Sequence, residues 1–156
     1  MKLKQALLVI VLLLLIACES DETKFARAEK ECSQKNSIDK LEVSVYGYSP
    51  KNENSIAVKI LRSGKIIADY QDTITKKYFD SLRLRRDYTI AKNILLTDTV
   101  IVKVANGPTK KLCGFAYAVK PHYAMMDHNF GCEFSSYIED GSKLEENSVI
   151  FKKGSQ

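Results

Sequence analysis

The chain has 156 residues, of which 45% are hydrophobic and 28% charged, with a formal net charge of +5, four cysteines and no tryptophan. This length suits one domain of ordinary size, and the apolar content excludes a chain too polar to bury a core. The small excess of basic residues bears on solubility and does not indicate a nucleic-acid partner.

The N-terminal segment has the pattern of an export signal. Lys2 and Lys4 precede an apolar run from Ala6 to Ala17, and acidic residues follow it. A spanning helix needs about 20 apolar residues, and a stop-transfer segment is followed by basic residues. The sequence therefore predicts a signal peptide over residues 1–17 that is removed on export.

The end of this run, Leu15-Ile16-Ala17-Cys18, resembles the lipobox of bacterial lipoproteins. The resemblance implies cleavage before Cys18 and acylation of that residue, which anchors the chain to a membrane without a further element. The second mature position is not the aspartate that resembles an inner-membrane retention signal, so delivery to the outer membrane is favoured. The acidic residues from Glu19 to Glu22 resemble a surface-export tag, with a solvated linker as the alternative.

Residues 18–38 are predicted to be a lipidated tether. The stretch from Asp21 to Ser37 is polar, and its few apolar residues, with Cys32 among them, have spacings that permit a short helix. We expect a helical turn or two within this tether.

From residue 39 to residue 153 the hydrophobic period is two, which is typical of half-buried strands. Leu41 to Tyr48 alternates in this way, and two further strands meet at a turn at Ser63-Gly64. Turns at Asn106-Gly107 and Asp140-Gly141 join the later strands. Tyr78 to Leu84 is predicted as either a strand or a short helix. Short strands punctuated by turns predict an all-β fold, and we expect an immunoglobulin-like antiparallel β-sandwich.

The basic cluster Arg83 to Arg86 lies within this region. Arg83 and Arg85 alternate with leucines, which predicts the solvent-facing side of a strand. No nucleic-acid-binding motif surrounds the cluster, and an exported protein rarely meets nucleic acid.

Lipidation of Cys18 leaves Cys32, Cys113 and Cys132, an odd number in an oxidising compartment. Cys113 and Cys132 lie in consecutive predicted strands beside large apolar residues, so a disulfide between them is predicted. Such a bridge would stabilise the fold by about 3 kcal/mol. The competing hypothesis pairs Cys32 with one of them and pins the tether to the sandwich.

The stretch HYAMMDHNFGC, from His122 to Cys132, collects both histidines and two of the three methionines. His122, Met125 and His128 are candidate ligands of a soft metal such as copper, because thioether and imidazole groups suit it. The alternative is a connecting loop whose methionines fill gaps over the core.

Catalysis is not expected. The sequence has no G-x-S-x-G, P-loop or H-E-x-x-H motif, and only His122 or His128 could serve as a base. No cofactor is expected either.

Three triplets resemble the acceptor sequence of an O-glycosylation system of some Gram-negative envelopes. They are Asp72-Thr73-Ile74, Asp80-Ser81-Leu82 and Asp98-Thr99-Val100. The resemblance implies modification of Thr73, Ser81 and Thr99. Ordinary turn-entry chemistry is the alternative interpretation.

These features together predict a lipid-anchored outer-membrane lipoprotein that acts as a non-catalytic binding or structural module, with a protein or glycan partner. One alternative is a copper-binding envelope protein. Another is an inhibitor or immunity lipoprotein directed against an enzyme that attacks the envelope.

Overall fold

The computed structural model describes residues 19–49, 51, 53–74, 76–77, 85–124 and 127–154. The predicted signal peptide, Cys18 and the segment from Tyr78 to Leu84 lie outside them. The chain divides into two compact units, described separately below. The first comprises Met1–Gln34 and Ala118–Glu133, and the second comprises Lys35–Tyr117 and Phe134–Gln156.

The described residues form one helix and twelve strands. In chain order these are α1 (Asp21–Gln34), β1 (Ser37–Ile38), β2 (Leu41–Tyr46), β3 (Ser55–Arg62), β4 (Lys65–Thr73), β5 (Lys76–Lys77), β6 (Arg86–Ile90), β7 (Ile94–Leu95), β8 (Thr99–Val104), β9 (Thr109–Ala124), β10 (Asp127–Glu139), β11 (Ser142–Leu144) and β12 (Ser148–Lys152). The all-β prediction is confirmed for the region that follows the helix.

The strands form three sheets, with orders β11-β10-β9-β8-β3-β4, β12-β2-β6-β5 and β1-β7. β3 pairs antiparallel with both β4 and β8, whereas β12 pairs with β2 in parallel. The expectation of a wholly antiparallel fold is therefore wrong for this pair. Alternation of apolar and polar residues has the same period in both kinds of pairing, so the sequence pattern could not distinguish them.

Two predicted hairpin turns have the backbone that two-residue loops require. Ser63 and Gly64 have φ values of 51° and 77°, and Asp140 and Gly141 have values of 49° and 90°. Positive φ at both central residues is the property of the turn type whose twist matches the flanking strands. Both turns are confirmed.

The core of the second unit includes the apolar residues of β2, β3 and β8 that the period of two selected. They are fully buried on β2, β3 and β8, namely Leu41, Val43, Val45, Ile56, Val58, Val100, Val102 and Val104. Full burial of a side chain of this size contributes about 1.5–3 kcal/mol. β2 is less one-sided than its pattern indicates, because Ser44 is also buried and donates a hydrogen bond of 2.7 Å to Asp87.

Candidate functional site

Helix α1 begins directly after the predicted lipidation site and has a capped N-terminus. The Ser20 hydroxyl accepts a hydrogen bond of 3.3 Å from the Thr23 backbone N–H, and Asp21 and Glu22 occupy the first turn. Both features stabilise the start of a helix. Part of the acidic stretch from Glu19 to Glu22 is thus the start of a helix and not a tether.

The helix has 14 residues, where the sequence indicated a turn or two. A helix of this length is only marginally stable alone in water. It is supported by the hairpin arm, the segments Ala118–Ala124 and Asp127–Glu133 of β9 and β10. Lys24 Nζ donates to the His128 carbonyl at 2.6 Å, and the rings of Phe25 and Phe130 meet edge to face at 5.4 Å.

A disulfide joins the helix to the arm. It links Cys32 to Cys132 with a Cα–Cα distance of 5.2 Å, and Cys113 is a free, half-buried thiol. The predicted Cys113–Cys132 bridge is therefore wrong, and the structure contains the competing pairing of Cys32.

The register of the hairpin explains this correction. A Cβ added to Gly114 would lie 2.9 Å from the Ile138 side chain, so Cys113 lies beside the later part of β10. Cys132 comes well before Ile138 in that strand. Two cysteines at different levels of a hairpin cannot meet the distance that a disulfide requires.

The two histidines of the arm have separate partners. His122 Nε2 lies 3.0 Å from Glu133 Oε1, while His128 Nδ1 lies 3.7 Å from Asp21 Oδ2. Met125 lies outside the described residues. Within the described ranges, no group of three or more histidine, cysteine or acidic residues could hold a metal ion. The sulfur of Cys132 is in the disulfide and offers no thiolate.

The tip of the arm presents an exposed aromatic side chain. Tyr123 is 75% exposed, and its ring contacts the His128 ring edge to face at 5.2 Å. Lys120 and the imidazole of His122, on the same strand, are also exposed. Phe25, on the helix, is 43% exposed. A single accessible aromatic side chain is common on protein surfaces, so its role depends on what lies next to the arm tip.

The second unit contains a charged group that the sequence analysis missed. Arg86 is 4% exposed and donates from Nη2 to the carbonyls of Tyr48 and Glu53, at 3.1 and 2.9 Å. Among the described residues, its Nε and Nη1 atoms have no hydrogen-bond partner, and burial lowers its pKa. Strand alternation places Arg86 on the face opposite Arg85, so the signal was present in the sequence. Arg85 is exposed, as expected, and Arg83 lies outside the described residues.

Glu53 extends this network. Its carboxylate accepts hydrogen bonds from Lys153 Nζ at 2.7 Å and from the Ser49 backbone N–H at 2.6 Å. These bonds, with that from Lys153 the stronger influence, hold the pKa of Glu53 below its ordinary value. The carboxylate is therefore fixed in place and ionised, which is typical of a structural group.

The three candidate glycosylation triplets differ in accessibility. Thr73 is exposed at the end of β4, an edge strand, and Asp72 accepts hydrogen bonds from the Thr73 backbone N–H and the Tyr88 hydroxyl. Thr99 is half-buried in β8, between two neighbouring strands, and Asp98 before it is fully buried. Ser81 lies outside the described residues. Thr73 is therefore the accessible hydroxyl of the described pair.

An open groove of about 400 Å³ lies beside β12. Its lining residues include Tyr137, Leu144 and the ion pair between Lys110 and Glu139, whose atoms are 2.6 Å apart. The groove is shallow, and two of the four charged side chains that line it, Lys110 and Glu139, are paired with each other. Such a surface suits a protein or glycan contact better than a small charged substrate.

No helix in the described part of the chain combines the length and apolar character needed to cross a membrane. Comparison of the chain with protein-family models, curated proteins and solved structures found no match in any of the three.

Proposed function

We propose that this chain is a bacterial outer-membrane lipoprotein, held by acyl chains on Cys18. The observation that carries the proposal is the lipobox-like run ending at Cys18, with α1 beginning three positions later, at Asp21. Three extended residues reach at most about 11 Å. The N-terminal end of the helix would therefore lie close to the lipid.

We propose a binding or structural role for the anchored protein. The ionisable groups described above are largely paired with one another, as Lys110 is with Glu139 and Glu53 with Lys153. Accessible features of the described residues include two open grooves beside β12, the aromatic arm tip and the exposed Ile66 and Ile67 of β4. They favour contact with a macromolecule over chemistry on a bound substrate.

An immunoglobulin-like sandwich is the proposed architecture of the second unit. One cluster of buried apolar side chains draws on β2, β6 and β12 of one sheet and on β3, β8 and β9 of the other. Two sheets that share a core in this way support a face-to-face arrangement. Such folds host many functions, so the architecture adds no weight to the choice of partner.

The anchor is tested by expressing the full chain and a Cys18→Ala variant in a bacterium that processes lipoproteins. We expect the wild-type protein in the membrane fraction and the variant released from it, because one backbone without acyl chains has no comparable affinity for lipid. Cys113→Ala is the matched control and should stay with the membrane. Membrane retention of Cys18→Ala equal to that of the control would refute the proposal.

A further inference from the structure

Helix α1 and the β10 part of the hairpin arm run side by side and are joined at both ends. At one end, His128 contacts Asp21 and Lys24, and at the other, Cys132 is bonded to Cys32. The eleven residues from Asp21 to Cys32 rise about 16 Å along a helix. The four from His128 to Cys132 span about 13 Å along a strand. The matched lengths place the tip of the arm beside the N-terminus of the helix.

This end of the first unit is also the end that carries Cys18. Only Glu19 and Ser20 separate Cys18 from Asp21, and Ser20 caps the helix. The connection is therefore too short to let the helix N-terminus move far from the lipid, since three residues span at most about 11 Å. A bilayer that holds Cys18 lies next to the arm tip.

The arm tip has the residue type that suits this position. Tyr123 is 75% exposed, and its phenol combines an apolar ring with a polar hydroxyl. Tyrosine is enriched where a membrane meets water, because the ring is buried among the headgroups while the hydroxyl stays hydrated.

We propose that the tip of the hairpin arm, through Tyr123, inserts into the phospholipid headgroup region of the bilayer that holds Cys18. The proposal rests on the proposed lipidation. The acyl chains provide the affinity, and the tip fixes the orientation of the first unit. Charges of both signs, Asp21 and Lys24, contact His128 near the tip, so the contact is not attraction to anionic lipid and does not weaken with salt.

Fluorescence can test this contact cleanly, because the chain contains no tryptophan. Tyr123→Trp introduces a single reporter at the arm tip. Ser33→Trp is the matched control. Ser33 is exposed in the same unit, at the end of helix α1 that is remote from Cys18. Each full-length lipidated variant is reconstituted into vesicles of phosphatidylethanolamine and phosphatidylglycerol, with and without brominated phosphatidylcholine as a quencher. Circular dichroism checks that both variants fold.

We expect the Tyr123→Trp emission to shift to shorter wavelength and to be quenched by the brominated lipid, at low and at high salt. The Ser33→Trp emission should stay unshifted and unquenched. Flotation of the vesicles and the mass of the protein report the anchor independently. If both variants float but Tyr123→Trp is quenched no more than Ser33→Trp, the tip contact is wrong and the lipid anchor stands. If neither variant floats or carries acyl chains, both proposals are wrong.

Discussion

Removal of the disulfide between Cys32 and Cys132 should strongly destabilise the protein. The two cysteines are 100 residues apart in sequence. A cross-link that closes a loop of this length lowers the entropy of the unfolded chain by an amount worth about 4.7 kcal/mol at 25 °C in the chain-entropy model. Measured losses fall within about 2–5 kcal/mol. We expect a loss in this range for the variant in which both cysteines are alanine.

The double replacement is the suitable perturbation, because a single one would leave the other cysteine of the pair as a free, reactive thiol. Urea unfolding followed by circular dichroism gives the free energy difference. Cys113→Ala is the matched control, and it should cost less, since it removes one half-buried sulfur and no cross-link. A double variant no less stable than this control would refute the reasoning, as would a non-reduced digest that links the Cys113 peptide to the Cys132 peptide.

Four further results are expected. Arg86→Ala should lower the free energy of unfolding in urea by about 1–3 kcal/mol, because two buried carbonyls lose their donor. Arg86→Met keeps apolar volume and should cost less; the reverse order would contradict this reasoning. Hydrogen bonds from Arg62 chiefly hold the pKa of Asp98 below its ordinary value. The stabilisation from this ion pair is therefore present above the ordinary aspartate pKa and is lost as pH falls through the lowered pKa of folded Asp98. Asp98→Asn should make the free energy of unfolding less dependent on pH in this acid range. Mass spectrometry of the native protein should find glycan on the Thr73 peptide and none on the Thr99 peptide; the opposite distribution would overturn the accessibility argument. Calorimetry with Cu(I), under conditions that keep the disulfide intact, should show no saturable heat, and a one-to-one site lost in His122→Ala would contradict this.

The alternation of apolar and polar residues, together with turn residues, was enough to predict many strands and buried residues of the second unit. The alternation around Val43 and Val58 selected residues that are fully buried, because a strand places every second side chain on one face. Gly64 and Gly141 marked hairpin turns, because each turn requires positive φ that glycine adopts without strain.

The errors concern contacts between residues far apart in sequence. Which cysteines could pair depended on the register between β9 and β10. The position of the hairpin turn sets that register, and knowing that the two segments are strands does not reveal it. Helix α1 is supported by its disulfide to Cys132 and by the contact of Phe25 with Phe130. Both partners lie about 100 residues later in the chain, so the tether sequence alone could not indicate the length of the helix. The parallel pairing of β12 with β2 depended on a long connection that has no local signature.

The burial of Arg86 was not predicted, although the sequence contained part of the information. Alternation places Arg86 opposite the solvent-facing Arg85, but a charged side chain is rarely buried, so its burial was not expected. Its guanidinium satisfies the carbonyls of Tyr48 and Glu53, two groups that no pattern within the strand could indicate. Buried charges are retained where nearby backbone groups supply hydrogen bonds.

The intact mass of the protein extracted from membranes tests the lipid anchor most directly. We expect a chain that begins at Cys18 and carries the added mass of acyl chains, all located on the N-terminal peptide. A chain that keeps residues 1–17, or one that begins elsewhere without acyl chains, would contradict the proposed function.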